Sequence, residues 1–374
     1  MNADDSFYMR RAIALARQGA GWTAPNPMVG AVVVKDGRII GEGWHRRCGE
    51  LHAERNALAA LSEPAAGATI YVTLEPCCHQ GRTPPCTEAI LEHGLRKVVI
   101  GSRDPNPLVS GKGAALLRAN GVEVAEDFLR QECDELNPDF FHYITTGTPY
   151  VVMKYAMSLD GKIACRTGAS RWITGETARA HVHALRGRYA AVMAGIGTVL
   201  ADDPLLNCRQ PGAHQPLRVI LDSRLRLPLD SRICQTARDF PTLVACCTDD
   251  KPKRAALREL GVETAELPGA DGRVDLPGLM KLLGQKQISS VLVEGGGGVH
   301  EAALRAGIVD HVCAYIAPRL IGGREAKTPV EGLGAATPDE GALLTGLRLT
   351  ELGRDVLLEY DLERGFGQDV HRDH

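Results

Sequence analysis

The chain has 374 residues, 44% of them hydrophobic, and its 43 Lys and Arg against 46 Asp and Glu leave a formal net charge of −3. That length exceeds what one hydrophobic core normally serves, so two domains are expected, and the near-neutral charge supplies no basic field for gripping a nucleic-acid backbone. No run reaches the roughly 18 apolar residues of a membrane span, Met1 to Arg11 lacks the apolar centre of a signal peptide, and the odd count of 11 cysteines points to reduced thiols. Together these features predict a two-domain cytoplasmic protein, with neither nucleic acid nor membrane as partner.

Met28 to Lys35 and Ile39 to Trp44 read as a hairpin about Asp36-Gly37. Leu51 to Leu58 follows as a run of good helix formers and carries His52-Ala53-Glu54. A strand at Ile70 to Thr73 then leads through Glu75-Pro76-Cys77 to Cys86, which precedes a helix from Thr87 to His93. One imidazole and two thiolates are a zinc set that leaves the fourth position open for water, and a metal there lowers the pKa of that water toward neutrality. On a helix Glu54 would point about 200° around the axis from His52, badly placed to ligate but able to move protons to and from the water. Usual deaminase zinc sites space their cysteines P-C-x-x-C, whereas here Cys78 and His79 intervene as possible ligands by type. Cys77 with Cys86 is the favoured pair, because a helix N-terminus after Cys86 stabilises a thiolate. With strands at Lys97 to Ile100 and Val122 to Ala125, the first half reads as an α/β/α sandwich around one mixed sheet.

A boundary is expected near residue 147, at Thr146-Gly147-Thr148-Pro149, dividing the chain into 1–147 and 148–374. A second strand series follows at Tyr150 to Ala156, Ala190 to Ala194, Leu217 to Asp222, Thr242 to Cys247, Ser289 to Val293 and His311 to Ala317. No G-x-G-x-x-G follows its first strand, so the usual dinucleotide fingerprint is absent. Glycine is concentrated instead at Glu294-Gly295-Gly296-Gly297-Gly298, read as a four-glycine turn before a helix from Val299 to Arg305. Such a turn lets backbone N–H groups approach a pyrophosphate. A second glycine pair lies in Ala194-Gly195-Ile196-Gly197-Thr198, leading to Asp202. Arg186 and Arg209 suit a phosphomonoester, because a guanidinium fork can hold it with two hydrogen bonds. Asp202 and Glu294 could position ribose hydroxyls or serve as helix caps. The strand ending at Asp222 delivers Ser223, Arg224 and Arg226 to a place where a nucleotide 2′-phosphate could be met. Gly346 to Tyr360 reads as two antiparallel strands, and Glu363 to His374 as a polar, frayed tail.

Four strings carry a resemblance: Thr73-Leu74-Glu75-Pro76-Cys77-Cys78-His79-Gln80-Gly81-Arg82-Thr83-Pro84-Pro85-Cys86, Pro25-Asn26-Pro27-Met28-Val29-Gly30, Asp104-Pro105-Asn106-Pro107, and Lys154-Tyr155-Ala156-Met157-Ser158-Leu159-Asp160-Gly161-Lys162. On these the chain resembles, over nearly its whole length, the bifunctional deaminase–reductase family of riboflavin biosynthesis. The resemblance implies an α/β protein, with a cytidine-deaminase-like α/β/α sandwich followed by a dihydrofolate-reductase-like domain. It implies Zn²⁺ on His52, Cys77 and Cys86, with Glu54 as the catalytic proton shuttle. It also implies NADPH against Ala156, Trp172, Thr198, Asp202 and the turn Glu294-Gly295-Gly296, to which the glycine run itself adds Gly297 and Gly298 and the strand ending at Asp222 adds Ser223. Asn26, Lys154, Ser170, Arg186, Leu206, Arg209 and Glu294 would face phosphoribosyl pyrimidine substrates, and a homodimer or homotetramer is expected. No residue stands out as the acid for hydride transfer.

Overall fold

The computed structural model describes residues 3–80 and 84–363; Gly81, Arg82 and Thr83 of the cysteine string, and the tail after Glu363, lie outside the described residues. The chain divides into two compact units, Met1–Gly147 and Thr148–His374. Among the described residues no helix is long and apolar enough to cross a membrane.

The first unit runs α1 (Ala3–Ala16), β1 (Gly30–Lys35), β2 (Arg38–Trp44), α2 (Ala53–Ala59), β3 (Thr69–Leu74), α3 (Cys86–Glu92), β4 (Lys97–Ser102), α4 (Lys112–Ala119), β5 (Glu123–Ala125), α5 (Arg130–Asp134) and α6 (Pro138–Thr146). The sheet order is β2-β1-β3-β4-β5, antiparallel on either side of β1 and parallel from β3 onward. Asp36 and Gly37 both take positive φ, 49° and 72°, the backbone a two-residue hairpin demands. Period-two alternation sorts the side chains onto two faces. Ala31, Val33, Ile70, Val72, Val98 and Ile100 pack with Ala57 of α2, Ile90 of α3 and Leu117 of α4. Val32, Val34, Tyr71 and Val99 meet Met9, Ile13 and Ala16 of α1 and Cys133 of α5 on the other.

The second unit runs β6 (Tyr150–Ser158), α7 (Glu176–Arg188), β7 (Ala191–Gly195), α8 (Ile196–Asp202), β8 (Leu217–Leu221), α9 (Arg232–Gln235), β9 (Thr242–Cys246), α10 (Lys251–Glu259), β10 (Glu263–Glu266), α11 (Leu276–Gln285), β11 (Ser290–Gly295), α12 (Gly297–Arg305), β12 (His311–Ala317), β13 (Leu344–Leu352) and β14 (Asp355–Leu362). Its nine strands lie in the order β10-β9-β8-β7-β11-β6-β12-β14-β13, and the first seven are parallel. β14 closes antiparallel on β12, and β13 on β14. The parallel strands are covered on both sides, as such strands must be. Leu185 of α7, Ile233 of α9 and Leu257 of α10 pack on Val152, Val192, Ile220 and Leu292. Leu279 and Leu283 of α11 and Ala303 of α12 pack on Val151, Met193, Val219 and Val293. β10 has no counterpart in the sequence reading, because Glu-Thr-Ala-Glu at a sheet edge buries little and carries no apolar signal.

Candidate active sites

In the first unit His52 lies just outside α2 as its N-cap, with φ −72° and ψ 166°, and not on the helix as the run of helix formers suggests. Glu54, in the first turn, is 3% exposed. Cys86 likewise opens α3 instead of preceding it. The effect is to bring ligand-type atoms from three separate segments together. His52 Nδ1 is 3.5 Å from Cys77 Sγ and 3.4 Å from Cys86 Sγ, and the Cys86 N–H donates to Cys77 Sγ at 3.4 Å. Cys78 and His79 are not part of this cluster. Burial raises the Glu54 carboxyl above its ordinary range, and the Cys77 sulfur adds to the rise. Glu75 is a scaffold: its oxygens accept the backbone N–H groups of Gly111, Gly113 and Ala114 at 2.9–3.2 Å, tying the loop before Cys77 to the start of α4. Asn26, half-buried, meets His45 Nε2 through its Nδ2 at 3.3 Å, and the His45 and His52 rings are 5.3 Å apart.

In the second unit the sequence-selected residues gather where parallel strands end, the usual ligand crevice of such sheets. Lys154 and Ala156 come from β6, Thr198 and Asp202 from α8 after β7, Ser223 from the loop after β8, and Glu294 from β11. The glycine segment is not a four-residue turn. Gly295 ends the strand, Gly296 alone makes the turn at φ 74°, and Gly297 and Gly298 begin α12, two residues earlier than expected. The glycines differ in what they face. A Cβ on Gly297 would lie 2.5 Å from Glu331 Cγ and 2.7 Å from the Thr328 carbonyl oxygen, and one on Gly295 would lie 2.9 Å from Thr198 Oγ1. At Gly298 and Gly197 a Cβ would meet nothing within 4 Å. Close packing inside the protein therefore requires the first pair, while the second pair leaves backbone open to a ligand.

The charged residues also depart from expectation. Both Glu294 oxygens accept from the Arg186 fork, at 2.6 and 2.8 Å, and Lys154 Nζ sits 3.7 Å away. Burial would raise the Glu294 carboxyl, but the Arg186 and Lys154 charges outweigh it and hold the group at about 2. Arg186 thus gives two of its nitrogens to a carboxylate, and its remaining NH1 donates to the Asn207 carbonyl at 3.2 Å. Leu206 points into the core, 3% exposed and at φ 52°, so only its backbone can face a ligand. Arg209 is exposed, Ser170 half-buried, and Trp172 58% exposed with the Arg179 guanidinium 4.5 Å from its ring centre. Asp202 pairs with Arg171 at 3.8 Å, and Arg226 leans toward Asp222 at 4.0 Å. Ser223 is half-buried and Arg224 exposed.

Residues 2–102 match the family model for the cytidine and deoxycytidylate deaminase zinc-binding region, and residues 149–358 match that for the RibD C-terminal domain. A riboflavin biosynthesis protein RibD from Actinobacillus pleuropneumoniae is 55% identical over 357 residues, 95% of either chain. The chain belongs to the RibD family. It is accordingly a bifunctional deaminase–reductase of riboflavin biosynthesis, an α/β protein with a cytidine-deaminase-like first domain and a RibD reductase second domain. A solved Acinetobacter baumannii RibD (form 1) superposes with a TM-score of 0.86 at 40% identity, covering 96% of this chain and 99% of its own. The Thermotoga maritima diaminohydroxyphosphoribosylaminopyrimidine deaminase/5-amino-6-(5-phosphoribosylamino)uracil reductase gives 0.84 at 38%, with the same coverage.

Within this RibD chain three residues near the sites escaped the sequence reading. His45, 1% exposed, donates from Nδ1 to the Leu51 carbonyl oxygen (3.1 Å) while its Nε2 accepts from Asn26 Nδ2; its sequence signal is its place directly after a strand. Asp104 belongs to a quoted motif, yet its burial, which lifts its carboxyl to about 6 with Glu75 and Cys77 adding to the rise, depends on the fold. His183 lies one helical turn before Arg186 on α7, and burial together with the Arg186 and Arg209 charges lowers its pKa.

Proposed function

We propose that the first domain hydrolyses the 2-amino group of 2,5-diamino-6-(5-phosphoribosylamino)pyrimidin-4(3H)-one, and that the second reduces the ribosyl side chain of the deaminated product to ribityl with NADPH. The observation that carries the first half is the convergence of His52, Cys77 and Cys86 beside a buried carboxyl. One imidazole and two thiols fit a catalytic Zn²⁺ in donor type and number, leaving one position open. Zinc bound there supplies a water of lowered pKa. Glu54, buried beside the three ligand atoms with its carboxyl raised, would hold and return a proton as the amine departs. Asn26, oriented by His45, positions the pyrimidine.

In the second domain NADPH supplies the hydride, and the chain's residues align the two reactants. Gly298 and Gly197 admit the pyrophosphate to the backbone, Thr198 and Ala156 lie along the cofactor with Trp172 and Asp202, and Ser223 and Arg224 meet the 2′-phosphate. Lys154, Ser170, the Leu206 backbone and Arg209 face the substrate, with Arg209 as the phosphate contact and Arg186 fixing Glu294 and Lys154 behind them. A homodimer or homotetramer is the assembly we propose, in the cytoplasm. Incubation of pure protein with the diaminopyrimidine phosphate tests the reading: ammonia should be released without NADPH, and NADPH should be oxidised only after that release. NADPH oxidation on the untreated diamino substrate, with no ammonia formed, would overturn it.

A further inference from the structure

A second cluster of ligand-type side chains lies on the reductase sheet, on β12 and β14, with Cys313 beside Lys154 of β6. His311 and Cys313 alternate onto one face of β12, and the register sets Glu359 of β14 opposite Cys313 and Asp361 opposite His311. His311 and Cys313 are 4% and 1% exposed, while the Glu359 side chain keeps 26% exposure and so opens the cluster to solvent. The ligand atoms of His311, Cys313 and Glu359 all lie within 4.8 Å of one another. Glu359 Oε1 is 3.6 Å from His311 Nε2 and 3.8 Å from Cys313 Sγ. The first is too long for a good hydrogen bond, and the second is a long thiol–carboxylate one. Both are near the spacing of about 3.3 to 3.8 Å that ligands adopt on a tetrahedral zinc with bonds of about 2.0 to 2.3 Å.

The other ring nitrogen is already occupied. His311 Nδ1 donates to Asp361 Oδ1 at 2.8 Å, which leaves Nε2, 3.6 Å from Glu359, as the nitrogen a metal would take. A carboxylate behind a ligating histidine is the arrangement that orients such ligands and strengthens them. Arg348 lies 3.6 Å from Asp361 and steadies that carboxylate from outside. His181 of α7, bonded to Tyr315 at 2.7 Å, and Arg188 face the same space.

We propose that His311, Cys313 and Glu359 form a second metal site, selective for a zinc-like cation, that clips the terminal ribbon of β13 and β14 to β12. The mixed nitrogen, sulfur and oxygen set suits zinc better than a hard cation such as Mg²⁺. Binding displaces the Cys313 thiol proton to solvent, so uptake releases a proton and weakens as pH falls.

Elemental analysis of the full-length protein after Zn²⁺ loading and desalting tests this. Glu359→Gln and Cys313→Ser should each hold one equivalent less than the parent, and Asp361→Asn should bind that equivalent about 10 to 100-fold more weakly. These variants leave His52, Cys77 and Cys86 untouched, so the difference does not depend on what those three bind. Glu359→Gln, a partly exposed and isosteric change, covers the case in which Cys313→Ser fails to fold. Equal zinc content in the parent and Glu359→Gln would overturn the proposal and leave the cluster as a proton shared between His311 and its two carboxylates.

Discussion

Each candidate site holds an enclosed glutamate, Glu54 in the first domain and Glu294 in the second, and the two surroundings are opposite. Glu54 sits beside sulfur and imidazole with no arginine or lysine among the groups that shift it, and its carboxyl is raised by burial. Glu294 is just as deeply enclosed, but the Arg186 fork and Lys154 hold it ionised at about 2. Burial alone therefore does not define the role of a carboxyl group. The partner does: a carboxyl without a cation can exchange protons, whereas one locked in a fork is a fixed charge that positions its neighbours.

The largest effect should come from the ligand side of the Glu54 pocket. Cys77→Ser and Cys86→Ser should each remove zinc and ammonia release together, while Cys78→Ser should retain both, because three protein ligands and one open position suffice. Metal analysis alongside an ammonia assay checks this, and zinc loss in Cys78→Ser with retention in Cys86→Ser would reverse the ligand assignment.

A smaller effect concerns the stability that Glu294 contributes. Its folded pKa of about 2 lies below the ordinary 4.5, so the contribution is fully present above pH 4.5 and is lost as pH falls toward about 2. On that shift it amounts to about 3 kcal/mol. Unfolding free energies of the parent and Glu294→Gln measured at successive pH values should converge in this window. Curves that stay parallel would mean the fork does not depress the carboxyl.

The glycines sharpen the contrast at the smallest scale. Gly297→Ala should destabilise the fold, because its Cβ would strike Glu331 and the Thr328 carbonyl, and overpacking typically costs about 1 to 3 kcal/mol. Gly298→Ala should leave the melting temperature unchanged and weaken NADPH binding. A Gly298→Ala protein with parental cofactor affinity would move the pyrophosphate elsewhere.

These glycines also show where sequence reading stops. The hairpin at Asp36-Gly37 was legible because a local dipeptide dictates its backbone, and the parallel strands because apolar runs bury both faces. His52, Cys77 and Cys86 were legible as ligand types. That His52 caps α2 was not, since a run of good helix formers carries no mark of its first residue. The pairing of the Arg186 fork with Glu294 was hidden for a different reason. Its partner lies 108 residues away on β11, and an arginine beside a predicted phosphate site looks the same whether or not a carboxylate already fills it. The inward turn of the Leu206 side chain was hidden similarly, because a positive φ at a leucine leaves no trace in composition.

The most direct test of the two-glutamate contrast measures both half-reactions in both amide variants. Glu54→Gln should lose ammonia release by roughly 10² to 10⁴-fold and reduce pre-deaminated substrate at the parental rate. Glu294→Gln, which leaves Arg186 and Lys154 buried without their counter-charge, should do the reverse, releasing ammonia normally and failing in NADPH oxidation. Ammonia release at the parental rate from Glu54→Gln, or full NADPH oxidation by Glu294→Gln, would contradict the account.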